Sequence, residues 1–469
     1  MKINNIALVE MAGVDRFNIY ALTRMPRGVP LLAAILQEYG YHVDCYIGSI
    51  HKIKWQELLS YDVIGFGAIS CTAKPTYEMI KKLRAEGYHG QIVVGGPHAT
   101  VLPDESLAAG ADFVVRHEGE RTLPELLAAI ENSGIENVAG ITWVKDGVTM
   151  RNRDRTFLSS KELSELPLPV FDTIIDLPRM NIVPITFSRG CPFQCEFCGV
   201  AGMYGAKYRC ASAEWRISQL RQMKEQYPNI WNTRPIFFTD DNFFGTDQTK
   251  PIITMMLERM STEKLIPPKG WICQMRIADA TPELVKLMKA AGCLFVCLGI
   301  ESVDDETLKL LHKRQTAREI EIGLKNCQAQ GLDTLAMTIA GTDTDTFWSF
   351  WRSIRRLQKW QITYLQVLAL VPLVGTKMTR RLVNEGRKFD HNYDTHNGMH
   401  AVIKPLRMSK LGVWASVYLV GFIWFYVLSG KIFRRDFKYR RLILVGLLEL
   451  LKQLWRNVKD CFISSAISP

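Results

Sequence analysis

The chain opens on MKINNIALVEMAG, which lacks the long apolar run and small-residue cleavage site of a secretory leader, and this predicts a protein that stays in the cytoplasm. Disulfide scaffolding is excluded with it, because 11 cysteines, an odd number, in 469 residues then read as reduced thiols or metal ligands. Proline-rich and glycine-rich tracts are missing too. The 20 Pro and 33 Gly are dispersed, and 47% apolar against 22% charged residues is the balance of a globular chain with a large core, which excludes disorder as the dominant state. Nor is the net charge of +11 evenly spread. Residues 404–469 hold 12 Lys or Arg against three acids (Asp436, Glu449, Asp460), a balance of +9 that leaves about +2 for the first 403 residues. A basic surface running the length of the chain is therefore excluded, and nucleic acid with it; the charge belongs to the C-terminal segment.

What is present is a doubled series of strand and helix patterns. Short apolar runs at Ile6–Val9, His42–Ile47, Asp62–Ile69, Gln91–Val94 and Asp112–Arg116 alternate with amphipathic stretches such as Val29–Tyr39 and Pro75–Glu86. This order predicts a doubly wound, flavodoxin-like α/β domain over residues 1–150, with ligands at the carboxyl ends of its strands. Those ends carry Ser70-Cys71-Thr72, Gly95-Gly96-Pro97-His98-Ala99-Thr100 and Glu118-Gly119-Glu120. Residues 151–181, with Glu165-Leu-Pro-Leu-Pro169, have turn chemistry and no sustained period, which suits a linker. Six more strand patterns follow at Val183–Ser188, Pro235–Thr239, Trp271–Arg276, Leu294–Ile300, Thr334–Ala340 and Tyr364–Val371, and they predict a partial (β/α)6 barrel over 182–385.

Directly after the first strand of this second series stands Cys191-Pro-Phe-Gln-Cys195-Glu-Phe-Cys198. Three thiolates leave a tetrahedral zinc site or a 4Fe-4S cluster one ligand short, so one metal position stays open to a substrate or cosubstrate. The remaining cysteines, such as Cys45, Cys71, Cys293, Cys297 and Cys327, sit in apolar or helical contexts and read as small buried hydrophobes.

The CxxxCxxC spacing with Phe197 before the last cysteine resembles the signature of radical S-adenosylmethionine enzymes. That resemblance implies that Cys191, Cys195 and Cys198 hold a 4Fe-4S cluster whose open iron binds S-adenosylmethionine. Further strand ends are similar to the family's contacts to that cosubstrate: Asp240 and Asp241 near its amino group, then Gln274 and Arg276, and Glu301 with Ser302. Either aspartate could take the first role, since the more usual Gly-Gly-Glu is absent. The fifth strand end, Ala340-Gly341-Thr342-Asp343-Thr344-Asp345-Thr346, departs from the family's Pro-Gly-Glu-Thr.

The amino-terminal domain resembles the cobalamin-binding domain that precedes the barrel in one radical-enzyme subfamily, which implies corrinoid contacts at Ser70, Gly95, Gly96, Pro97, His98, Thr100, Glu118, Gly119 and Glu120. Small residues suit turns where a nucleotide tail must thread between strands. No Asp-x-His-x-x-Gly element that would supply a lower cobalt ligand occurs in the first 40 residues, and His98 is expected to line the turn instead of binding cobalt.

Residues 386–469 form a third, helical segment. Asp390–Ser409 resembles the post-barrel region of relatives that methylate lipids or cyclise and methylate porphyrinoids; the spacing of His391, His396 and His400 suits no ordinary zinc loop. Leu411–Gly430 runs 20 residues without a formal charge, followed by Lys431, Arg434, Arg435, Lys438, Arg440 and Arg441, and Leu442–Trp455 repeats leucines on one helical face. A packing helix, an interfacial helix and a membrane span all fit. Aromatics beside cations favour the interface, hence peripheral contact with the inner face of the cell membrane.

Together the resemblances imply a cobalamin-dependent radical enzyme that methylates an unactivated carbon of a hydrophobic small molecule, with a low-potential donor of flavodoxin or ferredoxin type. Non-methylating oxidative cyclisation of a porphyrinoid is the alternative within the enzyme class. A membrane-anchored cobalamin or iron-sulfur sensor is the alternative outside it.

Overall fold

A computed structural model describes residues 2–12, 25–48, 53–175, 177 and 180–428. The basic cluster from Lys431 and the pattern Leu442–Trp455 lie outside the described residues.

Strands β1 (Asn5–Met11), β2 (His42–Gly48), β3 (Val63–Gly67), β4 (Gln91–Gly95) and β5 (Phe113–Val115) form a parallel sheet in the order β2-β1-β3-β4-β5, the flavodoxin-like order. Each reads as a near-continuous apolar run because helices cover both faces. Helices Val29–Glu38 and Gly119–Asn132 lie on one side and Ser70–Ala85 on the other, with separate apolar clusters beneath them. A hairpin, β6 (Ile141–Lys145) and β7 (Val148–Arg151), extends the sheet antiparallel from β5. Its turn, Asp146-Gly147, has both φ angles positive (51° and 77°), as a two-residue hairpin turn requires.

The interdomain stretch is packed against the first domain. Thr173 and Ile175 exchange backbone hydrogen bonds with Cys45 on the edge strand β2 (2.8 and 3.1 Å), and Phe171 is fully buried. That pairing covers an exposed sheet edge and ties the second domain to the first.

The second sheet contains β8 (Val183–Ile185), β11 (Ile236–Phe238), β12 (Trp271–Met275), β13 (Cys293–Glu301), β14 (Asp333–Ala340) and β15 (Tyr364–Ala369), all parallel and in chain order from β8 to β15. A short ribbon, β9 (Ser188–Arg189) with β10 (Arg209–Cys210), brackets the cysteine loop. Six parallel strands with helical crossovers make the open half-barrel the sequence predicts. Burial alternates along them. Trp271, Cys273, Val296 and Ala336 are buried beneath the helices, whereas Phe237, Phe295, Leu335, Met337 and Leu368 on the concave side are half-buried. The open inner wall is therefore mostly apolar, with Gln274, Gln366 and the hydrogen-bonded Thr186 and Thr239 among its polar positions.

The fifth strand end, where the sequence departs from its relatives, is committed to the backbone. Asp345 accepts from the backbone N–H groups of Gly341 (3.1 Å) and Thr342 (2.9 Å), and Thr346 caps the helix Phe347–Lys359. Residues 410–428 continue as a helix with a π-type stretch (Ser416–Leu428) against the outer edge of β15. Packing on the barrel, one of the three readings for this segment, is present on its inner side, while Leu411 and Leu419 stay exposed.

Candidate active site at the junction of the two sheets

The cysteine loop leaves β9 through Gly190, whose φ is +80° and where a Cβ would stand 2.6 Å from the Lys207 carbonyl, so only glycine turns the chain here. The loop is tied down from two directions. Glu196 accepts Arg381 Nε at 2.7 Å and its carbonyl accepts the Met378 N–H at 3.0 Å; on the other side its own N–H reaches the Leu311 carbonyl at 3.2 Å. Arg276, at the end of β12, stacks its guanidinium 3.6 Å above Phe193 inside the loop and donates to the carbonyls of Lys313 and Arg314, both at 2.8 Å. Cys191, Cys195 and Cys198 are half-buried and unpaired by disulfides, and Phe197 packs toward Met378 and Leu382.

Burial raises the thiol pKa of Cys191 and pushes that of Cys198 up to about 12, with Asp241 adding to both. Binding of a metal centre at these sulfurs would remove the proton from each thiol. Among the described residues no three candidate ligands converge at single-ion distance. Three thiols on one loop, with no fourth protein ligand beside them among the described residues, are the donor set of an iron-sulfur cluster with one open iron.

Geometry separates the two aspartates. Asp240 is fully buried; its Oδ1 accepts from Phe187 N (3.1 Å) and the Ser188 hydroxyl, and burial raises its pKa. Asp241 is half-buried and stands beside the thiols, with burial raising its carboxyl to about 6 against the opposing pull of Arg189 and the Gly190 N–H. Asp241 is thus the aspartate that faces the cluster loop, while Asp240 braces β8 and β9. Gln274 is half-buried on the concave wall.

Glu301, at φ +61° where the β13–β14 register shifts, forms a buried ion pair with Lys313 (2.7 Å). Ser302 accepts the Asp304 N–H at 3.1 Å. Arg276 Nε and Gln315 Oε1 are buried without a hydrogen-bond partner among the described residues. The unmet Arg276 Nε, on the side chain that stacks on the cysteine loop, is a donor suited to the carboxylate of a zwitterionic cosubstrate. Lys313 and Gln315 carry no signal in the sequence; they lie in the short connection between helices Asp305–Leu310 and Ala317–Ala329, twelve and fourteen residues after Glu301.

At the carboxyl ends of β1, β3, β4 and β5 lies a cavity enclosing about 960 Å³ of non-atom space including its open mouth. Gly95, Gly96, Pro97, Glu118, Gly119 and Glu120 are on its wall. Gly96 has φ +97°, and a Cβ there would sit 2.6 Å from the Ala68 carbonyl. Gly96→Ala is expected to cost on the order of 1–3 kcal/mol and to lower the cobalamin retained on gel filtration severalfold; wild-type retention would show that the cavity does not hold the corrinoid.

The remaining three expected contacts are placed off that wall. His98 is fully buried, its Nδ1 3.3 Å from Ser70 Oγ and its Nε2 3.0 Å from Glu105, and burial lowers its pKa. With both ring nitrogens engaged it ligates nothing in the cavity. Thr100 spends its hydroxyl on the Gly96 carbonyl (2.9 Å) and accepts the His117 N–H (2.9 Å). His117, Glu10 and Arg27 line the cavity and were not anticipated. Glu10 takes the N–H groups of Arg27 (2.7 Å) and Val29 (3.3 Å), and its only sequence signal is an acid inside an apolar strand.

The far wall of the cavity comes from the barrel: Arg189, Met203 and Tyr204. Arg189 pairs with Glu120 (3.2 Å), Arg209 with Glu118 (2.8 Å), and His117 Nδ1 reaches the Met203 carbonyl (3.0 Å). Glu118 and Glu120 therefore clamp the two domains together as well as lining the cavity. His391, His396 and His400 do not gather as metal ligands; His396 Nε2 contacts the Asp390 carbonyl at 2.7 Å.

The B12 binding domain family matches residues 21–127 and the Radical SAM superfamily matches residues 185–357. The chain joins a B12-binding domain to a radical SAM domain. It is 30% identical over 374 residues to an uncharacterized methyltransferase of Synechocystis sp., a match covering 78% of this chain and 64% of that relative's length. It is 24% identical over 430 residues to bacteriochlorophyllide d C-8(2)-methyltransferase of Chlorobaculum tepidum, covering 89% of this chain and 90% of the relative. The fold matches the radical S-adenosylmethionine methyltransferase TsrM from Kitasatospora setae, solved with cobalamin and a 4Fe-4S cluster bound, at a TM-score of 0.68 and 17% identity over 88% of this chain and 85% of that one. Cobalamin, a 4Fe-4S cluster and S-adenosylmethionine are the cofactors that this pairing of B12-binding and radical SAM domains takes.

Proposed function

We propose that the protein transfers a methyl group from S-adenosylmethionine to an unactivated carbon of a hydrophobic substrate, a lipid or a tetrapyrrole, in the cytoplasm and with a flavodoxin- or ferredoxin-type electron donor. The observation that carries this reading is the shared wall. Arg189, Met203 and Tyr204 stand on either side of the cysteine loop in sequence and also close the cavity at the ends of the first sheet, so the segment that carries the cysteines also walls that cavity. When bound, the cluster supplies the electron that cleaves the sulfonium, and cobalamin supplies the methyl group.

The chain's own residues do the rest. Asp241 offers a carboxylate for an ammonium group, and the unmet Arg276 Nε offers a donor for a carboxylate, which together orient a zwitterion over the cysteine loop. Glu118, Glu120, Arg189 and Arg209 hold the two sites in register. The apolar concave wall of Phe237, Phe295, Leu335, Met337 and Leu368 suits a hydrophobic substrate and excludes water from a radical. Anaerobically reconstituted protein given methyl-labelled S-adenosylmethionine, a reductant and a bacteriochlorophyllide or lipid extract is expected to yield labelled organic-soluble product together with 5'-deoxyadenosine. Deoxyadenosine with no label in product would overturn methylation in favour of cyclisation. Formation of neither by cluster-loaded protein would leave a sensor.

A further inference from the structure

We propose that helix Phe347–Lys359 and the outward side of residues 410–428 form one docking surface for an anionic lipid bilayer. The helix buries Phe350, Ile354 and Leu357 against the barrel. Its opposite stripe, at positions i, i+4, i+7 and i+11, is Trp348, Arg352, Arg355 and Lys359, all exposed. Trp348 is 63% exposed, which no requirement of core packing explains. It stands 5.9 Å from Trp351 in an edge arrangement, Trp351 is 6.2 Å from Trp424 of the neighbouring segment, and Arg355 lies over Trp351 at 5.0 Å. An indole ladder thus runs from solvent into the contact between the two elements.

The second element is locked to the protein on one side only. Tyr426 Oη accepts the Leu365 N–H and donates to the Leu365 carbonyl, both at 2.7 Å, and so closes the free edge of β15. Gly421 lets the backbone approach Val367, where a Cβ would meet Cγ2 at 2.5 Å. A helix that only packs needs apolar residues on its inner side. Here no formal charge occurs from Leu411 to Leu428, and the outer side presents Leu411 and Leu419, 73% and 42% exposed. Because 44% of its most apolar window is already buried against the barrel, the segment is held on the protein rather than free to span.

Charge selects the occupant. The tryptophan sits at the head of a stripe with three cations, and residues 429–469, which begin where the packed segment ends, add nine Lys or Arg against three acids. A second copy of this chain would bring the same cations against themselves. An anionic lipid surface instead meets the leucines and indoles at its headgroup boundary and the arginines at its phosphates.

Flotation of the full-length, cluster-loaded protein with phosphatidylcholine vesicles, with and without phosphatidylglycerol, tests this. Binding to the anionic vesicles is expected, weakened by salt. Trp348→Ser with Leu411→Ser and Leu419→Ser, and separately Arg352→Glu with Arg355→Glu, are each expected to reduce partitioning about tenfold or more while cluster absorbance and 5'-deoxyadenosine formation stay at wild type. No binding to anionic vesicles, or binding that both variants leave intact, would overturn the proposal. So would a concentration-dependent dimer in vesicle-free buffer that the serine variant abolishes, which would assign the face to a second copy. Failure to bind with deoxyadenosine formation intact leaves the proposed function standing, so the two readings fail separately.

Discussion

Replacing Cys191, Cys195 or Cys198 with alanine, one at a time, is expected to abolish 5'-deoxyadenosine formation, a loss of at least about a thousandfold, because the three thiols would hold the cluster that supplies the electron. The brown absorbance of anaerobically reconstituted protein should disappear with it. The fold should persist, since the cysteine loop is held by Glu196 and Arg381, by the Met378 N–H and by the Arg276 stack on Phe193, and not by the thiols. Cobalamin binding should also persist, because Gly95, Gly96 and Gly119 belong to the first domain, away from the cysteine loop in the chain. Full deoxyadenosine formation by any of the three variants would remove the cysteines from the chemistry. Cluster content comparable to wild type in all three would point to other ligands.

Glu118→Ala is expected to cost about 3–5 kcal/mol, because it strands a buried guanidinium. Glu118 and Arg209 face each other at 2.8 Å with side chains only 6% and 7% exposed, and the other Glu118 oxygen accepts the Leu158 N–H at 2.7 Å. Glu118→Gln keeps an acceptor for Leu158 and loses the charge, so its cost should fall between wild type and alanine. Thermal unfolding followed anaerobically reads the difference, and cobalamin retention should fall along with the melting temperature because the same residue walls the cavity. The exposed pair Lys54–Glu57 is the control: Glu57→Ala should change stability by less than about 0.5 kcal/mol. Equal effects at Glu57 and Glu118 would mean the interdomain pairs do not hold the junction.

Much of the architecture is legible in the chain because it is local. The strand patterns from Ile6 to Arg116 and from Val183 to Val371 reappear within a few residues as β1 to β5 and as the six strands of the half-barrel. The β6–β7 hairpin was also readable, from Asp146-Gly147 between apolar runs, and was not picked out. The linker carries turn residues, yet it pairs with Cys45 on β2, an attachment that depends on an edge strand 128 residues earlier. His98 illustrates the opposite failure. A histidine in a glycine turn resembles a ligand-facing residue, but Ser70 and Glu105 take both its nitrogens.

The sequence by itself determined the three-cysteine loop, the order of the two α/β series and the small residues at the first sheet's turns, because spacing, hydrophobic period and the conformational freedom of glycine act over a few neighbouring residues. Only the tertiary structure decided that Asp241 and not Asp240 faces the thiols, that Glu118 and Glu120 pair with Arg209 and Arg189, that Lys313 neutralises Glu301, and that the apolar segment after Lys410 closes the edge of β15. Most of those pairings join residues tens of positions apart, and the cost of burying an unpaired charge or an unpaired strand edge, which selects them, has no period along the chain.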